Sequence, residues 1–279
     1  MSAVRELDDI VSLHDQFELF LFDQFGVLHN GVTPYPGMQH VLQQLKQLNK
    51  HVVVISNSGK RASLNATRLS TFGYGPELVD RVYTSGELAW SRLSARLQTN
   101  TGSEKLKIFY LGNDGDRSAI AGLAVEETDV PKLADLIVIG GMGTDVLAEA
   151  DYADLLRPAA SKKIQAYCIN PDTRSLYKDG RIGIGPGVIA HIYQELGGPC
   201  DYFGKPHPEI YLQIMSDYNL PAENCLCIGD SLDHDIQGAV SAGCQSILVQ
   251  TGIYQNLDKT AFLDKINNAV VKPDYLLAR

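Results

Sequence analysis

Phe17-Glu-Leu-Phe-Leu-Phe-Asp23-Gln-Phe25-Gly26-Val-Leu-His29-Asn-Gly31 is the stretch on which the fold turns. Residues 19–22 are apolar at every position, too few for a helix, and stopped abruptly by a carboxylate. That pattern predicts a strand buried on both faces, the kind found in the middle of a helix-covered parallel sheet. Its carboxyl end delivers Asp23 and a glycine-bearing loop, where open α/β sheets collect their chemistry. Asp23 is therefore a candidate nucleophile or metal ligand.

The same grammar repeats outward from this stretch. Met38, Val41, Leu42, Leu45 and Leu48 recur at helical spacing, and residues 51–55 form a second buried strand ending in Ser56-Asn57-Ser58-Gly59-Lys60. A helix over about 61–72 stops at Gly73, and Ser85 is expected to cap another that carries Leu88, Ala89, Leu93 and Leu97. After a polar connector at 99–104 a second βα alternation begins, with strands at 108–111, 136–139 and 164–169. The last of these runs into Asn170-Pro171-Asp172-Thr173. A glycine-rich stretch at 180–187 reads as a hinge or linker. A strand at Tyr202-Phe203 then leads to Gly204-Lys205-Pro206, and a strand over 225–228 leads to Gly229-Asp230-Ser231-Leu232-Asp233-His234-Asp235.

Strands alternating with helices imply parallel strands joined by right-handed crossovers. The expected architecture is α/β: a doubly wound parallel-sheet core from residues 1–80 and 186–279, interrupted by an inserted α/β domain over 81–185.

The 279 residues carry 24 Lys+Arg against 33 Asp+Glu, a net charge of −9, which leaves no electrostatic footprint for nucleic acid or an anionic membrane. No signal peptide is visible, and no apolar run reaches membrane-spanning length. The five cysteines are scattered, without zinc-type spacing, as in a reduced cytoplasmic protein. Gly140-Gly-Met-Gly143 follows a strand but lacks the spacing of a dinucleotide fingerprint.

Four of the expected core strands end in polar signatures: Asp23, Ser56-Asn57, Lys205, and Asp230 with Asp235. In a parallel sheet these tips share one edge. Two carboxylates from separate strands suit Mg²⁺, and a serine hydroxyl, backbone N–H groups and a lysine suit phosphoryl oxygens. Asp23 could then attack phosphorus.

These motifs, in this order, resemble the haloacid-dehalogenase-like superfamily, class IIA, typified by sugar-phosphate, nucleotide and p-nitrophenyl phosphatases. Asp23-Gln-Phe-Gly-Val-Leu matches the nucleophile loop, Ile55-Ser56-Asn57-Ser58 the second motif, Gly204-Lys205-Pro206 the lysine motif, and residues 228–236 the acidic motif. The resemblance implies that the insert is a cap domain and that Asp23, the Phe25 carbonyl and Asp230 hold Mg²⁺, with Asp235 as a further ligand. It also implies phosphate contacts from Ser56, Asn57, Ser58 and Lys205, and substrate contacts from Asn170, Asp172 and Thr173.

One position departs from the family pattern. Two residues after the nucleophile the family's phosphatases carry a second aspartate, which protonates the leaving group; here that residue is Phe25. Three expectations follow. Another group supplies the proton, with His29 best matched to neutral pH, ahead of His234 and Asp172. Alternatively the leaving group needs no proton, as with an acyl phosphate or in dehalogenation. Or the chain binds a phosphorylated ligand without turnover. A dehalogenase would carry a helical insert between the first two motifs, for which there is no room here. The leading expectation is a cytoplasmic Mg²⁺-dependent phosphatase of a small phosphorylated metabolite, sugar or polyol phosphates favoured, acting through an aspartyl-phosphate. A homodimer is the one protein association the sequence leaves open.

Overall fold

The protein is described by a computed structural model covering residues 4–99, 105–113, 115–143, 146–176 and 182–277. Its strands are β1 (Arg5–Glu6), β2 (Leu19–Asp23), β3 (His51–Ser56), β4 (Arg81–Thr84), β5 (Leu106–Asn113), β6 (Val125–Glu127) and β7 (Leu136–Gly143). They continue with β8 (Gln165–Cys168), β9 (Arg174–Leu176), β10 (Ile182–Ile184), β11 (Cys200–Tyr202), β12 (Cys225–Gly229), β13 (Gln245–Val249) and β14 (Tyr275–Leu277). The α-helices are α1 (Met38–Gln47), α2 (Ala62–Thr71), α3 (Ser85–Thr99), α4 (Glu149–Ser161), α5 (Pro186–Glu195), α6 (Glu209–Tyr218), α7 (Gln237–Ala242) and α8 (Lys259–Asn268). The chain divides into two units: residues 1–56, 63–83 and 205–279 form the first, and 57–62 with 84–204 form the second.

The first unit is built on a seven-stranded sheet of order β1-β14-β13-β12-β2-β3-β4. The apolar run at 19–22 is its middle: β2 lies parallel between β12 and β3, and Leu19, Phe20, Leu21 and Phe22 are wholly buried. A strand covered on both faces has no solvent side for polar residues, which is why alternation is missing from it. Phe20 and Phe22 pack with Val52, Val54, Leu226 and Ile228 beneath Leu42 and Leu45 of α1. Leu232, Ile236, Leu248, Phe262 and Ile266 form a further cluster beneath α8.

Register then places the chemistry. Phe22 pairs with Ile228 and Asp23 with Ile55, so Asp23, Ser56 and Asp230 come at the carboxyl ends of three adjacent parallel strands. Parallel pairing brings residues from positions 23, 56 and 230 of the sequence to one edge.

The second unit holds a five-stranded parallel sheet of order β11-β8-β7-β5-β6, together with the antiparallel pair β9–β10. Side chains alternate along β7. Ile137 and Ile139 join Tyr152, Leu156 and Ala159 of α4 and Ile189, Ala190 and Tyr193 of α5; Leu136 and Val138 join Ala89 and Leu93 of α3. Both faces are covered, as the apolar run at 136–139 requires.

Four local expectations are corrected. The second unit reaches Gly204 rather than ending at 185, because α5 and β11 complete its sheet and core. The strand before Lys205 is therefore not a core strand: β11 is the edge of the second sheet. Helix α3 is capped by Thr84, whose Oγ1 accepts from the Glu87 N–H at 3.0 Å, and Ser85 is its first helical residue. The glycine-rich stretch is not a linker where it is described, since residues 182–184 pair with β9 and Pro186 opens α5; residues 180 and 181 lie outside the described residues.

Candidate active site

Asp23, Lys205, Asp230 and Asp235 are brought together in the first unit, all buried. The Lys205 ammonium donates to Asp23 Oδ1 and to Asp235 Oδ1, the latter at 2.6 Å. Burial works against a charged lysine, but the two carboxylates outweigh it and hold the Lys205 pKa above its ordinary value.

Asp235 is aimed by an unusual turn. Residues 232–236 form a single π-turn, with the N–H groups of Asp235 and Ile236 both reaching the Ser231 carbonyl at 3.0 Å. This widened turn carries the side chain back over the end of β12, where Asp235 Oδ2 accepts from the N–H groups of Asp230 at 3.2 Å and Ser231 at 3.0 Å. Asp233, on the same turn, is exposed and outside the cluster.

Asp230 is enclosed more tightly. Its Oδ2 accepts from the Ile253 N–H at 2.8 Å. Gly26, at φ +96°, passes so close that a Cβ there would stand 2.2 Å from Asp230 Oδ2. Only glycine gives the loop after Asp23 this approach. Burial first, then the like charges of Asp23 and Asp235, push the Asp230 carboxyl well above the usual carboxylate range.

Asp23, Asp230 and Asp235 each offer an oxygen within 4.8 Å of the others. Three buried carboxylates facing one ammonium form an under-compensated group of hard oxygen donors. That donor set fits a divalent cation such as Mg²⁺.

His29 is the site residue on which the structure corrects the sequence reading most sharply. It is buried, stacked on Phe72 at 4.5 Å, and met edge-on by Phe25 at 5.7 Å. Its Nδ1 accepts from the Gly31 N–H at 2.9 Å, which places the ring proton on Nε2. Nε2 faces the Gln24 side-chain amide at 3.2 Å. Burial, then the Arg68 charge, lowers its pKa to about 4. His29 is a strut inside the loop rather than a proton donor to a ligand. Phe25, by contrast, is 45% exposed.

The remaining expected residues divide between the units. Ser56 ends β3 in the first. Asn57, Ser58, Asn170, Asp172 and Thr173 belong to the second. There Asn57 Nδ2 donates to Asp172 Oδ1 at 2.8 Å and Asn57 Oδ1 accepts from the Ser85 hydroxyl at 3.5 Å, so its side chain braces that unit. Asp172 also accepts from the Gly187 N–H through its carbonyl, and Thr173 from the Gly185 N–H, tying this loop to the start of α5. The role of Thr84 as cap had a signal, a hydroxyl three residues before Glu87, that sequence reasoning passed over.

Two family models match the chain: "Haloacid dehalogenase-like hydrolase" over residues 20–126 and "HAD-hydrolase-like" over 202–278, each containing part of the acidic cluster. The chain belongs to the haloacid-dehalogenase-like hydrolases. Among its relatives in this family is 4-nitrophenylphosphatase of Schizosaccharomyces pombe, 25% identical over 99% of this chain and 95% of that protein. Dihydroxyacetone phosphatase of Corynebacterium glutamicum is 26% identical over 84% of this chain and 81% of its own length. The structure of p-nitrophenyl phosphatase from Archaeoglobus fulgidus superposes with a TM-score of 0.72 and 26% identity, covering 94% of this chain and 96% of that one. These relatives place the chain in class IIA of the haloacid-dehalogenase-like hydrolases.

Proposed function

We propose that the protein is a Mg²⁺-dependent phosphatase of a small phosphorylated metabolite, with Asp23 as nucleophile. The observation that carries this reading is the buried cluster itself, in which Lys205 bridges Asp23 and Asp235 beside Asp230. An Asp23 oxygen forms a bond to phosphorus as the ester P–O bond breaks and the leaving oxygen takes a proton from solvent; water then attacks phosphorus, loses its proton to solvent and releases phosphate and the Asp23 carboxylate. Lys205 holds the nucleophile in place and sets a positive charge where the phosphoryl oxygens gain negative charge. Asp23, the Phe25 carbonyl, Asp230 and Asp235 are the groups that would hold Mg²⁺, which when bound neutralises phosphoryl charge as a Lewis acid.

Relatives that are phosphatases of 4-nitrophenyl phosphate and of dihydroxyacetone phosphate support phosphoric monoesters as substrates, and the latter favours sugar or polyol phosphates. The second unit is proposed as the cap of this enzyme, and the cytoplasm as its compartment; no described helix is long and apolar enough to cross a membrane.

The test is phosphate release across a phosphometabolite panel, with Mg²⁺ and with chelator. Metal-dependent release that disappears in Asp23→Asn is the expected result. Ligand-induced thermal stabilisation without release on any substrate would replace the enzyme with a phospho-ligand binder. Halide release from 2-haloacids without Mg²⁺ would replace it with a dehalogenase.

A further inference from the structure

Three strands of the first sheet, in the order β13-β12-β2, run parallel and present their carboxyl ends at one edge. Asp230 follows the central strand, with the loop after β2 on one side and the loop after β13 on the other. That second loop, residues 250–254, lies beyond every motif the sequence offered.

Strands on either side of a shared neighbour stand about 10 Å apart, so these two loops can meet only by reaching across the tip of β12. They do so at Asp230. The Thr251 hydroxyl donates to the Gly26 carbonyl, and the Ile253 N–H donates to Asp230 Oδ2 at 2.8 Å. Between them Gly252, at φ +50°, is pressed against the same carboxylate. A Cβ there would stand 1.8 Å from Asp230 Oδ2 and 2.7 Å from the Gly26 Cα. The Gly252 N–H donates to the Tyr35 hydroxyl at 3.2 Å, which ties the loop to the chain entering α1. All of these residues lie in the first unit.

One oxygen of Asp230 is thereby committed and the other is not. Oδ2 is enclosed by two glycines and a backbone N–H, whereas no hydrogen bond among the described residues reaches Oδ1. The same contacts fix the Phe25 carbonyl. Gly26 is held at its N–H by the His29 carbonyl at 2.9 Å and at its own carbonyl by Thr251, so the Phe25–Gly26 peptide cannot turn. That peptide is trans, and its Phe25 carbonyl points away from the His29 carbonyl. Two of the groups assigned to the cation, Asp230 and the Phe25 carbonyl, therefore take their relative placement from a hydroxyl bonded to neither.

We propose that Thr251 is a positioning residue for divalent-cation binding, its hydroxyl clamping the loop after Asp23 to the loop after β13 with Asp230 held between them. The proposal rests on the reading of the acidic cluster as a cation site. Its test needs no turnover. Mn²⁺ is titrated into the metal-free full chain without substrate, and free Mn²⁺ is counted by electron paramagnetic resonance. The parent chain is expected to show one saturable site that Asp230→Asn lacks. Thr251→Val exchanges the hydroxyl for a methyl group and raises the Mn²⁺ Kd about tenfold, the lower end of what an outer hydrogen-bond partner contributes to a metal site. Thr251→Ser keeps the hydroxyl and stays within about twofold of the parent. Tyr35→Phe loosens the same loop at Gly252, raises the Kd several-fold, and serves should Thr251→Val not fold. A parent chain without a saturable site, or Asp230→Asn binding like the parent, overturns the cation reading and this proposal with it. Parent binding that Thr251→Val leaves unchanged, even where urea unfolding in chelator shows lost stability, overturns the clamp alone, as does a Thr251→Ser chain weakened as much as Thr251→Val.

Discussion

Replacing Asp230 by asparagine should stabilise the metal-free protein while removing its response to Mg²⁺. Asp230 lies with Asp23 and Asp235 in a cluster whose ligand oxygens fall within 4.8 Å of one another, with Lys205 as counter-charge. At an effective dielectric of about 20, one like-charge pair at such a distance is worth ~3 kcal/mol. Two repulsions set against one attraction leave Asp230 with a net penalty of about that size. Asparagine keeps an oxygen for the Ile253 N–H that Asp230 Oδ2 now accepts at 2.8 Å, so the loop contact survives. The gain should also depend on pH in a defined direction. The folded-state pKa of Asp230 lies above its unfolded value, so folding takes up a proton and parent stability falls as pH rises from the unfolded value toward the folded one. Asparagine does not titrate, and its advantage therefore opens by at most ~1.4 kcal/mol per pH unit above about pH 4, levelling near ~3 kcal/mol. Urea unfolding in chelator at pH 4, 5, 6 and 7 reads this directly. In Mg²⁺ the parent chain should gain stability and the variant should not. A variant that is less stable than the parent in chelator at pH 7, or that Mg²⁺ stabilises equally, would refute the cluster as a metal-poised site.

Other perturbations test the same loop and its neighbours. Lys205→Met leaves Asp23 and Asp235 buried without their shared ammonium and should cost about 3–5 kcal/mol in metal-free urea unfolding, with Mg²⁺ restoring part of it. Phe25→Asp should accelerate hydrolysis of alkyl phosphates by ~10²–10⁴-fold and of acyl or aryl phosphates far less, since only the former need a proton on the leaving oxygen; uniform rates would locate the proton donor elsewhere. For His29, whose pKa falls from 6.5 to about 4 on folding, protonation favours the unfolded chain. Stability should therefore be full above pH 6.5 and decline by up to ~3 kcal/mol toward pH 4. His29→Gln should flatten that decline in acid unfolding curves while leaving an acceptor for the Gly31 N–H.

What the sequence made legible was whatever depends on local pattern. An unbroken apolar run marks β2 because a doubly covered strand admits nothing else. Likewise the carboxylates at 230 and 235 follow a buried strand closely enough for one turn to bring them together. The misreadings share a different cause. Tyr202-Phe203 reads as a strand, but which of two sheets it joins is decided by contacts with β8, some thirty residues earlier. His29 looked available because its chemistry is visible in the sequence, whereas Phe72, Gly31 and Gln24, which enclose it, are recognisable only in three dimensions. Thr84 and Ser85 are both competent caps, and only the geometry at Glu87 chooses between them.

The pairing of β2 with β12 also bears on how the chain comes to fold. Leu19 lies beside Cys225, more than two hundred residues downstream. At ~5–20 residues per second of synthesis, this wholly buried strand waits roughly 10–40 s for that neighbour. The second unit, with its sheet drawn from residues 106–202, is complete before β12 leaves the ribosome. In the interval β2 has β3 on one edge and an open edge on the other. Such an edge is a template for another nascent chain, so chaperone demand during production should be governed by the carboxyl-terminal strands rather than by the inserted unit.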